Sequence, residues 1–180
     1  FEQAGIEAYR NNLTKKLESA DWDYIVLQEQ ATTSALLPTT EMYSSVRALR
    51  ELIATSCPQA QILLYMTHGF DVKASVDGTY RLVKASELQL RMQSGYERVG
   101  ERLGLPVVSF GQLEYRYEAL HPGESLRTPN NIHLSEAGFL LAAAAFYQAI
   151  FGEAPTQAVS KLASVTEDEH QIRVRAAWPT

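Results

Sequence analysis

A histidine near the end of the chain lies where a catalytic base is expected. His133 stands in a short polar segment, residues 130–138, that leads directly into an apolar helical stretch at residues 139–151. A general base must reach its substrate while its ring is held still, and a loop anchored by a packed helix gives both access and rigidity. The position predicts that His133 is a general base. The alternative is a loop histidine that only packs or caps the helix.

Strands and helices alternate along the chain in an order that would position such a residue. Short apolar runs indicate buried strands, and apolar residues at helical spacing indicate the helices between them. The predicted strands are 23–28, 61–66 and 107–110, and the predicted helices are 6–17, 42–53, 88–103, 139–151 and 166–177, with a weak helical pattern at 114–120. Thr39 or Thr40 is available to cap the second helix, and Ser135 to cap the fourth.

This alternation predicts a parallel sheet covered by helices on both faces. Active sites of such sheets gather at the carboxyl ends of the strands. The first strand delivers Gln28, Glu29 and Gln30 to that edge, and the second delivers His68. We expect these residues and His133 to lie along one edge of the sheet.

Composition excludes several classes of function. The chain of 180 residues has a net charge of −5 and no broad basic surface, so nucleic acid is not an expected partner. Its longest nearly apolar stretch, residues 137–147, is about half of the ~20 residues that span a bilayer, and no membrane segment is predicted. Glycine-rich nucleotide loops and histidine pairs at ligand spacing are absent from the sequence, which predicts neither a cofactor nor a metal.

Some properties stay open at this stage. The single cysteine, Cys57, excludes an internal disulfide and is expected to pack as a small hydrophobe. Phe1 stands inside a helical pattern, so we expect residues upstream of it, and no export signal can be sought. One domain over residues 1–180 is predicted, while the compartment and the oligomeric state are left open.

The chain resembles the SGNH/GDSL hydrolases, and within them the bacterial DUF4886 group. The resemblance covers roughly residues 3–155, and it is carried by segments 22–30 (WDYIVLQEQ), 65–67 (YMT) and 132–138 (IHLSEAG), with Phe146-Tyr147 following. It implies a three-layer α/β/α fold of flavodoxin-like type. It also implies ester hydrolysis by a serine nucleophile, a histidine base and an oxyanion hole.

In this resemblance His133 matches the family's catalytic histidine, and Asn130 matches the aspartate that orients it. An asparagine cannot stabilise an imidazolium by charge, and it can favour the wrong ring tautomer. In the serine-protease template that exchange lowers turnover by about 10⁴. A serine-histidine pair whose ring is oriented by a backbone carbonyl would lose less. The asparagine at position 130 thus puts the serine-histidine-aspartate triad in doubt, whereas the resemblance still implies a serine-histidine dyad.

The oxyanion hole is assigned by the same resemblance. Gln28-Glu29-Gln30 stands where the family has a Gly-x-Asn element, so Gln30, and with it Gln28, would donate a side-chain amide to the oxyanion. One such donor contributes roughly 2.7 to 4 kcal/mol in the transition state. The alternative is a glutamine that bonds loop backbone. Glu29 and His68 are expected as substrate contacts, with a plain loop role as the alternative for His68.

The family's nucleophile element, Gly-Asp-Ser or Gly-Asn-Ser, is absent from this sequence. Ser34 lacks the glycine turn that would expose it, and Ser109 is predicted inside a strand. We therefore expect the first strand and its serine to precede Phe1. In the family that strand lies beside the one at residues 24–28, so the present chain should show an edge there that is open or filled by a neighbouring segment.

The sequence thus predicts a serine esterase whose substrate is a small-molecule or carbohydrate ester with a short acyl group. Two alternatives remain open. One is a non-catalytic relative that keeps the cleft as a carbohydrate-binding surface, which the asparagine at position 130 favours slightly. The other is an O-acyltransferase, which differs from a hydrolase only in excluding water.

Overall fold

The computed structural model of the protein describes residues 2–130 and 132–153, with side chains from residue 10 onward. The helices are α1 (Glu2–Leu17), α2 (Ala31–Leu36), α3 (Tyr43–Ser56), α4 (Ala85–Leu103), α5 (Phe110–Leu120) and α6 (Glu136–Phe151), and a π-helical turn, Pro38–Met42, leads into α3. The strands are β1 (Tyr24–Leu27), β2 (Gln61–Tyr65), β3 (Val72–Val76), β4 (Thr79–Val83) and β5 (Val107–Val108). The predicted helix at 166–177 lies outside the described residues.

Three of the strands form the parallel sheet that the sequence predicts. The strand order is β1-β2-β5, with Tyr24 opposite Gln61 and Leu64 opposite Val107. Helices connect these parallel strands, as parallel pairing requires. The mixed α/β fold with a parallel sheet between helices is therefore confirmed.

The two faces of the sheet pack against different sets of helices. Side chains alternate along a strand, so neighbouring residues of β2 enter opposite cores. Leu64, which is fully buried, joins a core formed with α2, α3 and α4. Leu63, also fully buried, joins a second core formed with α5 and α6. This arrangement gives three layers, with β2 enclosed between the two helical ones.

Helix α4 has the end and the buried face that its sequence pattern predicts, and it begins three residues earlier, at Ala85. Its buried apolar residues are Leu88, Met92, Tyr96, Val99 and Leu103. The helix ends at Gly104, whose φ of 63° is left-handed and suits glycine. The buried face of α4 packs in the same core as Leu64 of β2 and Met66, which follows that strand.

The segment between β2 and α4, where no strand or helix is predicted, contains the antiparallel hairpin β3–β4. Its turn is Asp77-Gly78, and both residues have positive φ, 52° and 80°. An Asp-Gly dipeptide between alternating residues is the pattern of a two-residue hairpin turn, so the signal was present in the sequence. The hairpin packs Val76 and Val83 onto the core beside α4.

Most element ends differ from the prediction by one to four residues, and two of these differences change the role of a named residue. The third strand has only Val107 and Val108, because Ser109 already stands at the N-cap position of α5. The turn before α3 begins with Pro38 at its first position, which a proline tolerates because no intrahelical N–H is needed there. Thr39 and Thr40 consequently lie within the helical turn, and neither is the cap.

Strand β1 is not buried on both faces, contrary to the prediction. Within the described ranges it pairs only with β2, which leaves its other edge open, and Val26 is 45% exposed. A groove of about 230 Å³ follows this edge, and its walls include Leu13 of α1 and Leu49 of α3. The expectation of an open edge at residues 24–28 thus agrees with the structure.

Helix α6 begins as predicted but is covered on one side only. Ser135 caps it by accepting a hydrogen bond from the Gly138 amide. Its inner face, including Leu141, packs on α5 and the sheet, whereas Phe139 and Phe151 are each 63% exposed. A helix that is apolar nearly all round is expected to be buried against the sheet, and α6 is buried there on its inner face alone. Neither α6 nor another helix within 2–130 and 132–153 is long and apolar enough to cross a membrane.

We expect Gly95→Ala to destabilise the fold by about 1 to 3 kcal/mol, because a Cβ there would collide with the carbonyl oxygen of Ser34. Helices α2 and α4 meet at this point, and neither backbone can shift freely. The free energy of unfolding in urea measures the effect. Ser94→Ala, at the exposed neighbouring position of α4, is the matched control and should change stability little. Equal stability of both variants would contradict this packing.

Candidate active site at the carboxyl edge of the sheet

The turn after β1 is fixed by a tyrosine from α4. The Tyr96 hydroxyl accepts a hydrogen bond from the Glu29 amide at 2.9 Å and donates one to the Glu29 carbonyl, 3.3 Å away. Burial raises the pKa of Tyr96 to about 12, so the phenol stays protonated and can serve both groups. The Gln28-Glu29-Gln30 turn is thereby held in one conformation above the sheet.

Both glutamines of this turn are exposed. The Gln30 side-chain oxygen accepts a weak hydrogen bond from the Thr33 hydroxyl at 3.5 Å. The backbone N–H of Gln30 donates to the Glu29 carboxylate at 2.7 Å. The side-chain nitrogens of Gln28 and Gln30 have no hydrogen-bond partner within the described parts of the chain. These donors remain available to a bound molecule.

The backbone around His133 is held by the side chain of Asn130. Its Oδ1 accepts hydrogen bonds from the Ile132 amide at 2.9 Å, from the His133 amide at 3.1 Å and from the Thr128 hydroxyl at 2.8 Å. The Thr128 amide in turn donates to the His133 carbonyl at 2.9 Å. The His133 side chain is exposed. The structure therefore combines a fixed backbone with an imidazole that solvent can reach.

This use of Asn130 differs from the orienting role that the resemblance implies. Asparagine and aspartate commonly bond backbone two residues ahead, and here the oxygen is engaged in that way. In the described part of the chain, Asn130 makes no hydrogen bond to the His133 ring. Its contribution in this conformation is to the shape of the loop.

His68 lies directly beneath the loop. The residue is only 6% exposed, and its Nε2 is 3.0 Å from the Ile132 carbonyl oxygen. Burial, with the nearby charge of Arg127, lowers the pKa of His68 to about 4. The ring is neutral at pH 7, so it must carry its proton on Nε2 to donate to that carbonyl. A ring in this position supports the loop, and its burial leaves little surface for the substrate contact that the sequence predicts.

A buried ion pair lies next to His68. Glu114 of α5 is fully buried, and its two oxygens accept hydrogen bonds from Arg127 Nε at 2.9 Å and Nη2 at 3.1 Å. Arg127 Nη1 also donates to the Gly69 carbonyl at 3.1 Å. Burial raises the pKa of Glu114 to about 7, although Arg127 opposes the shift. Glu114 Oε2 is 3.8 Å from His68 Nδ1.

The sequence contained one signal for this pair, which the prediction missed. Glu114 follows Phe110 by four residues and precedes Tyr117 by three, so the weak helical pattern placed a carboxylate on its apolar face. A buried carboxylate requires a partner. Arg127 lies in the connection between α5 and α6, where it forms an isolated antiparallel bridge with Leu134.

The candidate residues therefore fall into two neighbouring groups. Gln28, Glu29 and Gln30 follow β1, while His68 follows β2 and holds the loop of His133. Because β1 and β2 are adjacent and parallel, both groups lie at the carboxyl edge of the sheet. His133 is also near enough to His68 for its charge to contribute to the lowered pKa of His68.

His68 and Glu114 are of residue types that can bind a metal, and Glu114 Oε2 lies 3.8 Å from His68 Nδ1. Across residues 2–130 and 132–153, no three histidine, cysteine, aspartate or glutamate side chains come together as ligands. The Arg127 guanidinium, which would repel a cation, also lies at this place.

Comparison with known proteins yields a structural likeness. No family model matches the sequence, and no curated protein matches it. The fold is similar to the crystal structure of a DUF4886 family protein from Bacteroides uniformis, with a TM-score of 0.65 and 16% identity over 93% of this chain and 68% of that one. At this identity the likeness shows the fold alone.

We expect the stability difference between wild type and His68→Gln to depend on pH. Glutamine can keep the bond to Ile132 but does not titrate. Since the pKa of His68 falls from 6.5 to about 4 on folding, its contribution is complete above pH 6.5 and is lost as pH falls toward 4. The difference in unfolding free energy should therefore shrink by about 3 kcal/mol across that interval. A difference that stays constant from pH 4 to 7 would contradict this.

Proposed function

We propose that the protein is an ester hydrolase of SGNH type in which His133 is the general base. The observation that carries the proposal is the exposed imidazole of His133 on a loop whose backbone Asn130 and Thr128 hold in place. A base on such a loop is both accessible and preorganised. The likeness to the DUF4886 structure supports the fold that the proposal requires.

In the proposed reaction, His133 takes the proton of a serine hydroxyl as the serine oxygen attacks the ester carbonyl. The imidazolium returns that proton to the leaving alkoxide, and the acyl-enzyme is then hydrolysed by water that His133 activates in the same way. The exposed amides of Gln30 and Gln28 stabilise the negative charge on the carbonyl oxygen. Each well-aimed donor contributes roughly 2.7 to 4 kcal/mol.

The nucleophilic serine is proposed to lie on a further strand that pairs with the open edge of β1. The exposed Val26 and the apolar groove beside it support this, because an unpaired hydrophobic edge accepts another strand. Ser34 is an unsuitable nucleophile, since it is fully buried and donates to the Ala31 carbonyl. The Bacteroides uniformis protein extends beyond the part that this chain covers, which leaves room for such a strand there.

The proposed substrate is an ester of a short acyl group with a sugar or another small alcohol. Hydrolysis is favoured over transfer to a second alcohol because His133 is open to solvent and water can reach the acyl-enzyme. Transfer would require that water be excluded. The solvent-exposed position of His133 therefore supports an O-acyltransferase less well than a hydrolase.

A second candidate is a non-catalytic relative that binds carbohydrate in the same cleft. The observation in its favour is that the Asn130 oxygen is engaged by the loop backbone and has no described contact with the His133 ring. Without an orienting carboxylate the imidazolium lacks charge stabilisation, and turnover is lower.

The test is turnover of p-nitrophenyl acetate by the full-length protein, compared with His133→Ala. Removal of the general base should lower kcat by about 10² to 10⁴. His121→Ala is the matched control, because that ring stacks on Tyr117 at the end of α5, and it should leave kcat unchanged. Turnover that persists in His133→Ala would contradict the assignment of the base. Absence of turnover in the wild type would favour the binding function.

A further inference from the structure

A second concave site opens beside the ion pair, on the side of α4 and α5. Its volume is about 400 Å³, within the range typical of small-molecule sites. Its walls include Gly69 at the end of β2, Ser86 and Gln89 of α4, Tyr115 of α5, and Arg127. We call it the α4–α5 cavity. None of the proposed catalytic groups lines it.

The four charged side chains that line this cavity carry charges that cancel, and Glu114 lies behind the wall. Asp71 and Lys84 form an ion pair at 2.9 Å, and Arg127 is paired with Glu114 beneath the wall. Glu118, the remaining charged lining residue, accepts hydrogen bonds from the Ser125 hydroxyl and the Leu126 amide. Two acidic and two basic side chains thus face the cavity. An anion would meet carboxylates and a cation would meet ammonium and guanidinium groups, so a neutral ligand fits best.

Hydrogen-bonding groups remain available in these walls. Gln89 is 7% exposed, and its oxygen accepts from the Gly69 amide at 2.7 Å, but the contact of its nitrogen is the Met66 sulfur at 4.0 Å. A thioether is a weak acceptor. The hydroxyls of Ser86 and Tyr115 have no hydrogen-bond partner in the described parts of the chain. Gln89, Ser86 and Tyr115 thus bring one side-chain amide and two hydroxyls to the lining, which suits a ligand with hydrogen-bonding groups of its own.

Tyr115 supplies an apolar surface at the same place, since its side chain is 60% exposed. Tyrosine combines a flat apolar ring with a polar hydroxyl. A sugar ring presents the complementary chemistry, with C–H groups on one face and hydroxyls that donate and accept around its edge. We propose that the α4–α5 cavity binds one uncharged sugar unit.

The cavity and the loop of His133 share structural elements. Gly69 directly follows His68, and Arg127 starts the segment that leads to His133. If the proposed hydrolase is correct, the sugar in this cavity is part of the alcohol half of the ester, and that assignment rests on the proposed function. Sugar binding itself does not require turnover.

The test is a titration of the ¹⁵N-labelled protein, monitored by amide chemical shifts. The probes are N-acetylglucosamine, methyl glucoside and xylose, with sodium acetate as the anionic probe. We expect saturable shifts of the Gly69, Ser86 and Gly111 amides with at least one sugar. Tyr115→Ala should raise the Kd about five-fold or more, because the aromatic face on which the sugar stacks is lost. Tyr80→Ala, at a 72% exposed position on β4, is the matched control and should leave the Kd unchanged.

Three outcomes would overturn the proposal. The first is the absence of saturable shifts with every sugar, and the second is tighter binding of acetate at the same amides. The third is a Kd that Tyr115→Ala leaves unchanged. A protein that binds sugar here yet shows no esterase turnover would retain this inference and lose the proposed hydrolase. A protein that turns over esters without binding sugar would retain the proposed hydrolase and lose this inference.

Discussion

The buried ion pair between Glu114 and Arg127 is the interaction on which the candidate site depends. Removing two charges from water is costly, and the attraction between them compensates only when further hydrogen bonds complete the geometry. Here the guanidinium contacts both carboxylate oxygens and also donates to the Gly69 carbonyl. The pair therefore joins α5, the end of β2 and the segment that leads to His133.

Two features of the candidate site adjoin this ion pair. On one side, the backbone of the His133 loop rests on neutral, buried His68, so an exposed ring is carried by a rigid support. On the other side, Arg127 forms part of the wall of the α4–α5 cavity. A change in the ion pair should therefore disturb the proposed base and the proposed sugar site together, while the core between β2 and α4 is little affected.

Sequence reasoning recovered the elements whose pattern is local. Strand β2 and helix α4 were predicted because their apolar residues recur with a clear period, and His133 stood out because a polar loop precedes an apolar helix. The ion pair could not be predicted, since Glu114 and Arg127 meet only after the chain folds back from α5. The burial of His68 was missed for the same reason, because its cover, the loop at Ile132, is 64 residues away. The exposure of Val26 depends on what pairs with β1, which the strand's own residues do not specify.

Amide hydrogen exchange in Arg127→Met tests this account most directly. The amides of Thr128 and Ser135 are bonded to the carbonyls of His133 and Leu126, and loss of the guanidinium should speed their exchange by about ten-fold or more through local opening. Amides in the middle of α4 should keep their protection. Arg81→Met, which removes a partly exposed ion pair with Glu87, serves as the control and should leave the Thr128 and Ser135 amides unchanged. Full protection of both amides in Arg127→Met would show that the loop is held without the ion pair and would contradict the account.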